Sequence, residues 1–221
     1  MIFDDTPAGT VPIDVTCQDL TPVILAAGFS SRMKNSNRNR PHYPKALLEI
    51  RPGVTFLEEI YRKVSVFSDR VIVVLGSDKD EILARVNIPR SEIVYNADFE
   101  KGMFSSVKAG LSRLSREKAF MINPVDCPGV RQSTYESLIR QWEKYPEKIH
   151  IPSFEERRGH PAIYPAGLVG EILSSPDDLG GGLKFFLEKE KDLILHFDTD
   201  DKGVIIDVDT FADYERFAQR F

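Results

Sequence analysis

Val23-Ile24-Leu25-Ala26-Ala27-Gly28-Phe29-Ser30-Ser31-Arg32-Met33 is an apolar run that passes into small residues and a glycine, then into two hydroxyls and an arginine. A short apolar run stopped by glycine suits a strand buried on both faces. The order after it has a mechanical meaning. Small side chains let backbone approach a ligand, exposed N–H groups form an anion-binding concavity, and Ser30, Ser31 and Arg32 add donors for phosphate oxygens. The same order also fits an ordinary turn, and it has neither the Walker nor the dinucleotide glycine spacing.

Outward from this stretch the chain alternates short β-branched runs with longer amphipathic ones. Pro22 to Ala26, Val71 to Leu75, Glu92 to Tyr95, Ala119 to Asn123 and Ile149 to Pro152 are the predicted strands. Between them, apolar residues three and four apart predict helices at Thr55 to Phe67, Lys79 to Arg85, Ser105 to Leu114 and Ser133 to Tyr145. Such alternation needs crossovers that cover both faces of a sheet, so the expected fold is α/β, a three-layer, doubly wound, Rossmann-like and mostly parallel sheet. After Pro161 come a helix around 166–174, a break at Gly180 to Gly182, a helix through Glu190, closing strands near 193–197 and 203–207, and a last helix at 211–221. Residues 1–20, polar and proline-punctuated, read as an arm before one domain at 21–221.

With 221 residues and 42% hydrophobic content, the chain can bury one sizeable core. Its formal charge is −5 and its 29 basic residues are scattered, which argues against a nucleic-acid partner. The apolar runs are far shorter than the roughly 20 residues of a membrane helix, and the N-terminal 20 residues lack the basic and apolar regions of a signal peptide. No membrane partner and a cytoplasmic location are the expectations. Cys17 and Cys127 suggest neither a disulfide framework nor a metal set by their spacing, and both are expected as reduced thiols.

Asp126 ends the apolar run Ala119 to Val125 just before Cys127-Pro128. Alone, that position fits a catalytic carboxylate at a strand end and an aspartate capping the next turn equally well.

Taken together, these blocks resemble the MobA-like nucleotidyltransferases, closest to the branch that attaches CMP to the molybdenum cofactor. Leu25 to Met33, followed by Pro44-Lys45-Ala46-Leu47-Leu48, carries the resemblance, which covers roughly residues 21–221. It implies a fold of the nucleotide-diphospho-sugar transferase type. It also implies transfer of NMP from an NTP, CTP favoured, to a phosphorylated small acceptor, with pyrophosphate released and molybdopterin or the molybdenum cofactor as the acceptor. A partner in molybdoenzyme maturation would follow. Arg32 and Lys45 become the cationic clamp on the triphosphate, over a loop formed by Leu25, Ala26, Ala27, Gly28, Ser30 and Ser31. Lys34 stands where the family has glycine, and Lys34 to Pro44 enlarge the loop with Asn35, Asn37, Arg38, Asn39, Arg40 and His42, as a lid or as a solvated insertion.

The resemblance makes Asp126 a metal ligand, with Cys127 replacing the usual glutamine. Nucleotidyl transfer needs Mg²⁺ anchored by one or two carboxylates. The ending Asp207-Val208-Asp209-Thr210, then Ala212-Asp213-Tyr214, matches the family's acidic close. Strand alternation would turn Asp207 and Asp209 to one face. Asp207 is then the second ligand, and Asp209 its substitute or the cap of the last helix, while Asp198, Asp200 and Asp201 read as a solvated turn. Asn96, Gly102 and Ser106 fall in a further family block on the nucleotide side. Arg158-Gly159-His160-Pro161 is similar to the acceptor segment, and Gly182 with Lys184 stands where the family has an aspartate-containing glycine segment and an arginine. Transfer to a sugar or polyol phosphate, and nucleotide binding without turnover, are the alternatives.

Overall fold

The computed structural model describes residues 18–30, 33 and 43–219. Strand β1 (Leu20–Ala26) is buried along its whole length. It lies between two parallel neighbours, β4 (Ile72–Leu75) and β6 (Ala119–Pro124), with Val23 opposite both Ile72 and Ile122. Between β1 and β4 come a 3₁₀ turn (Lys45–Leu47), a hairpin of β2 (Glu49–Arg51) and β3 (Val54–Thr55), and helix α1 (Phe56–Ser65). Helix α2 (Lys79–Arg85) leads to β5 (Ile93–Tyr95), and α3 (Met103–Leu111) leads to β6. Beyond β6 lie α4 (Gln132–Lys144), β7 (Ile149–Phe154), β8 (Arg157–Arg158) and β9 (Ala162–Tyr164). Helices α5 (Gly167–Ser174) and α6 (Leu183–Lys189), β10 (Ile194–Asp198), a 3₁₀ turn (Lys202–Ile205) and α7 (Phe211–Ala218) complete the chain.

The sheet runs β10-β7-β9-β6-β1-β4-β5, with β8 on β7. Alternation along β1 builds the three layers. Ile24 and Ala26 face one core, with Leu57, Ile60 and Val64 of α1 and Tyr135, Leu138 and Ile139 of α4. Val23, Leu25 and Ala27 face the other, with Val107 and Leu111 of α3 and Leu168, Val169 and Ile172 of α5. No solvent face remains on β1, which is why its sequence from Pro22 to Ala26 is continuously apolar.

Strand β9 was not anticipated: it runs antiparallel between β6 and β7 and makes the sheet mixed. The hairpin β2–β3 and β8 were also missed, since two or three residues are too few to establish a period. The expected strand at 203–207 is instead the 3₁₀ turn and an extended stretch. Its backbone groups are taken elsewhere: Gly203 N–H donates to the Asp201 carboxylate, and the Val204 carbonyl accepts from His160 N–H. Of the arm, residues 1–17 fall outside the described residues, and β1 already begins at Leu20. Among the described residues no helix is long and apolar enough to cross a membrane.

Candidate active site

The chain leaves β1 and β6 at the same end of the sheet, and ligands on open α/β sheets bind beyond these carboxyl ends. A pocket of about 380 Å³ opens there, lined by Leu25, Ala26, Ala27, Gly28, Phe29 and Ser30 from the first loop. Lys45, Asp78, Glu100, Gly102, Ser106, Asp126 and Asp209 also line it. Ser30 has a positive φ of 50° and its hydroxyl accepts from the Lys45 backbone N–H at 3.1 Å, so the two ends of the enlarged loop are tied together. Ser31, Arg32 and, of the Lys34 to Pro44 insertion, Lys34 to His42 lie outside the described residues.

At the acidic end, the Lys45 ammonium sits 2.5 Å from Asp209 Oδ1 and 3.5 Å from Asp126 Oδ2. Asp207 comes to Asp126 through Cys127: their potential ligand atoms all lie within 4.8 Å of one another, and Cys127 Sγ donates to Asp207 Oδ1 at 3.0 Å. Sequence spacing gave no reason to include this thiol. Burial first, then the Asp126 and Asp207 carboxylates, push Cys127 well above the ordinary thiol range. It therefore serves as a neutral donor orienting Asp207, and the carboxylates supply hard oxygens of the kind Mg²⁺ prefers. Three carboxylates and one ammonium converge here among the described residues, and the excess negative charge fits a divalent cation held by Asp126 and Asp207.

Val208, fully buried, points away from this cluster, so Asp207 and Asp209 both face outward as alternation required, although the segment is not a strand. The cap of α7 is Thr210, in a reciprocal capping box with Asp213, which removes that role from Asp209.

Several further expectations are relocated. Asn96 is buried: its amide donates to Ser105 and Ser106, and its oxygen accepts from Asp98 N–H, so it braces the loop behind the pocket rather than lining it. Arg158 is exposed beside His196, 3.5 Å away. Gly159 is pressed against residue 204, where a Cβ would meet the Val204 carbonyl oxygen at 2.2 Å. His160 feels both Asp207 and Asp126, but burial outweighs them and lowers its pKa, which keeps it neutral. The His160-Pro161 peptide is cis. Gly182 borders a separate groove with Lys101 and Met103, and Lys184 lines neither pocket.

Asp201 is the clearest correction to the expected solvated turn. It is 4% exposed and accepts from Arg131 N–H, the Thr134 hydroxyl and Gly203 N–H at 2.7, 2.7 and 2.9 Å. Sequence reading also missed Phe29 and Phe99, whose rings meet edge-on at 4.9 Å in the pocket wall. Gly76 was missed as well: a Cβ there would lie 2.3 Å from the Ala27 carbonyl oxygen. Neither leaves a spacing signal, because each acts through a contact between distant segments.

Residues 22–193 match the MobA-like NTP transferase domain. Nicotine blue oxidoreductase of Paenarthrobacter nicotinovorans is 31% identical over 205 residues, covering 89% of this chain and 94% of the relative. Molybdenum cofactor cytidylyltransferase of Escherichia coli strain K12 is 23% identical over 200 residues, covering 90% and 95%. The crystal structure of Rv0371c from Mycobacterium tuberculosis H37Rv in complex with manganese superimposes with a TM-score of 0.70 at 22% identity, covering 92% of this chain and all of the other. The fold is the one found in nucleotide-diphospho-sugar transferases.

Proposed function

The chain belongs to the MobA-like NTP transferase family, and from that premise we propose that it transfers CMP from CTP to a phosphorylated small acceptor of the molybdopterin or molybdenum-cofactor class, releasing pyrophosphate. The convergence of Lys45, Asp126, Asp207 and Asp209 at the end of the Gly28 to Ser30 loop carries this reading.

The first loop presents backbone N–H groups to the phosphates, and Phe29 with Phe99 offers an apolar wall to the base. Lys45 exchanges its contacts with Asp209 and Asp126 for phosphate oxygens and offsets the charge that grows on the leaving pyrophosphate. Asp126 and Asp207 would hold Mg²⁺, which when bound neutralises the phosphates and orients them for in-line attack. Cys127 fixes the Asp207 carboxylate, and neutral His160 stands close enough to feel Asp207 and Asp126 without competing as a cation.

The name of the 31% identical relative favours a second reading, in which this pocket holds a nucleotide for redox chemistry. Pyrophosphate release from CTP with Mg²⁺ and a pterin phosphate separates the two. Transferase activity predicts release that is abolished in Asp126→Asn and Asp207→Asn with melting temperatures held within a few degrees. Full activity in both variants would remove the carboxylates from the chemistry, and no release from CTP, GTP, ATP or UTP would favour the redox reading.

A further inference from the structure

A second cavity, of about 440 Å³, has Asp207 in its wall and shares no lining residue with the nucleotide pocket. Its walls carry Arg157 of β8, Lys202 of the 3₁₀ turn and Arg216 of α7, together with Asp213 and Phe217. We propose that this cavity binds the phosphate group of the acceptor, with Arg157 and Lys202 as the anion-binding residues. The proposal rests on the transferase reading and gives that reaction its second substrate site.

Position is the first support. Nucleotidyl transfer needs two anionic substrates to meet at one point. Asp126 lines the first pocket and Asp207 the second, while their ligand atoms lie within 4.8 Å of each other. An acceptor seated in the second cavity therefore has its reacting oxygen next to the phosphate end of the first. The volume is that of a small-molecule site, in the range of about 300–1,000 Å³.

Charge is the second. Arg216 is paired with Asp213, which also closes the capping box on Thr210. Arg157 and Lys202 have no ion pair or side-chain hydrogen bond among the described residues, so two cations from different elements border the cavity without a direct partner, and with Arg216 they outnumber its carboxylates, Asp207 and Asp213. A phosphate monoester, carrying between one and two negative charges near neutral pH, is the small group that matches them. Strand register explains why Arg157 and not Arg158 is in place. Arg157 pairs with Phe154 and Arg158 with Ser153, so the two side chains leave opposite faces, and Arg158 goes to His196.

Inorganic phosphate is titrated into the full chain, preincubated with a non-hydrolysable CTP analogue and Mg²⁺, and followed by backbone amide shifts. In the wild type, shifts centred on residues 157, 202 and 207 are expected. Arg157→Glu/Lys202→Glu should weaken phosphate by at least about tenfold while leaving affinity for the analogue within about twofold. Should charge reversal unfold the protein, Arg157→Gln/Lys202→Gln carries the same test. Unchanged phosphate affinity in the variant, or shifts confined to Gly28, Ser30 and Lys45, overturns the proposal. Failure of the analogue to bind would instead count against the transferase reading, and the amide shifts still show whether phosphate occupies this cavity.

Discussion

The backbone N–H of Val208 donates to the carbonyl oxygen of Asp126 over 2.8 Å. This bond joins the end of β6 to the segment before α7, and on either side of the buried Val208 side chain Asp209 lines the nucleotide pocket and Asp207 the second cavity. The acidic centre is therefore a tertiary feature. One carboxylate comes from a strand end, and the others are delivered by a segment held in place through single hydrogen bonds.

Lys45→Ala removes the ammonium between Asp126 and Asp209. Turnover with saturating acceptor should fall by at least about tenfold, equivalent to about 1.4 kcal/mol of transition-state stabilisation. Steady-state pyrophosphate release against NTP concentration is the check, and unchanged kinetics would take Lys45 out of the phosphate site.

Gly76→Ala tests the approach of β4 to the first loop. The added Cβ would meet Ala27 O at 2.3 Å and Phe99 Cβ at 2.9 Å, and the first of these is backbone that cannot rotate away. Overpacking of this kind costs about 1–3 kcal/mol. Urea unfolding should show that loss, together with weaker nucleotide binding because Ala27 and Phe99 both line the pocket.

Asp201→Ala removes the acceptor for Arg131 N–H, the Thr134 hydroxyl and Gly203 N–H. A buried donor left without a partner costs about 1–3 kcal/mol, and several are affected here. Denaturant unfolding of the variant should give a loss of about 2–4 kcal/mol. A change below about 0.5 kcal/mol, the size of an ordinary surface substitution, would restore the solvated-turn reading.

The layers were legible because β1, β4, β5 and β6 obey the alternation of apolar runs and amphipathic helices that a covered parallel sheet requires. The pocket was legible for a related reason: Gly28, Ser30 and Asp126 follow strand ends, where the fold places ligands, whereas Lys45, in a 3₁₀ turn, was singled out only by the motif around it. Asp201 was not legible, since the sequence Thr199-Asp200-Asp201-Lys202-Gly203 looks like any polar turn until α4 supplies its donors. Likewise, whether Arg157 or Arg158 faces Asp207 depends on strand register, which adjacent arginines do not reveal. The fold and membership of the MobA-like family were anticipated; the antiparallel pairing of β9 was not, because three residues between Pro161 and Pro165 do not reveal the direction in which they pair.

Acid should destabilise the protein through Glu59. Its carboxylate is 4% exposed and contacts Arg51 at 2.9 Å, Arg62 at 3.0 Å and Lys63 at 3.3 Å. Burial pushes the carboxyl up, but the hydrogen bond from Arg62 and the charges of Lys63, Arg62 and Arg51 together outweigh it and bring the pKa from 4.5 down to about 2. A carboxyl depressed on folding stabilises the native state above its unfolded pKa, and that contribution is lost as pH falls through the folded value. The loss should therefore fall between about pH 4.5 and pH 2. It bears on the site because Lys63 also donates to the carbonyls of Pro128 and Val130, at 3.1 and 2.7 Å, just beyond Asp126 and Cys127. Urea midpoints measured from pH 7 down to pH 2.5 should decline steeply in the wild type across that window. In Glu59→Gln they should start lower, because Lys63 has lost its closest carboxylate, and change less with acid; parallel curves for the two proteins would rule out Glu59 as the source.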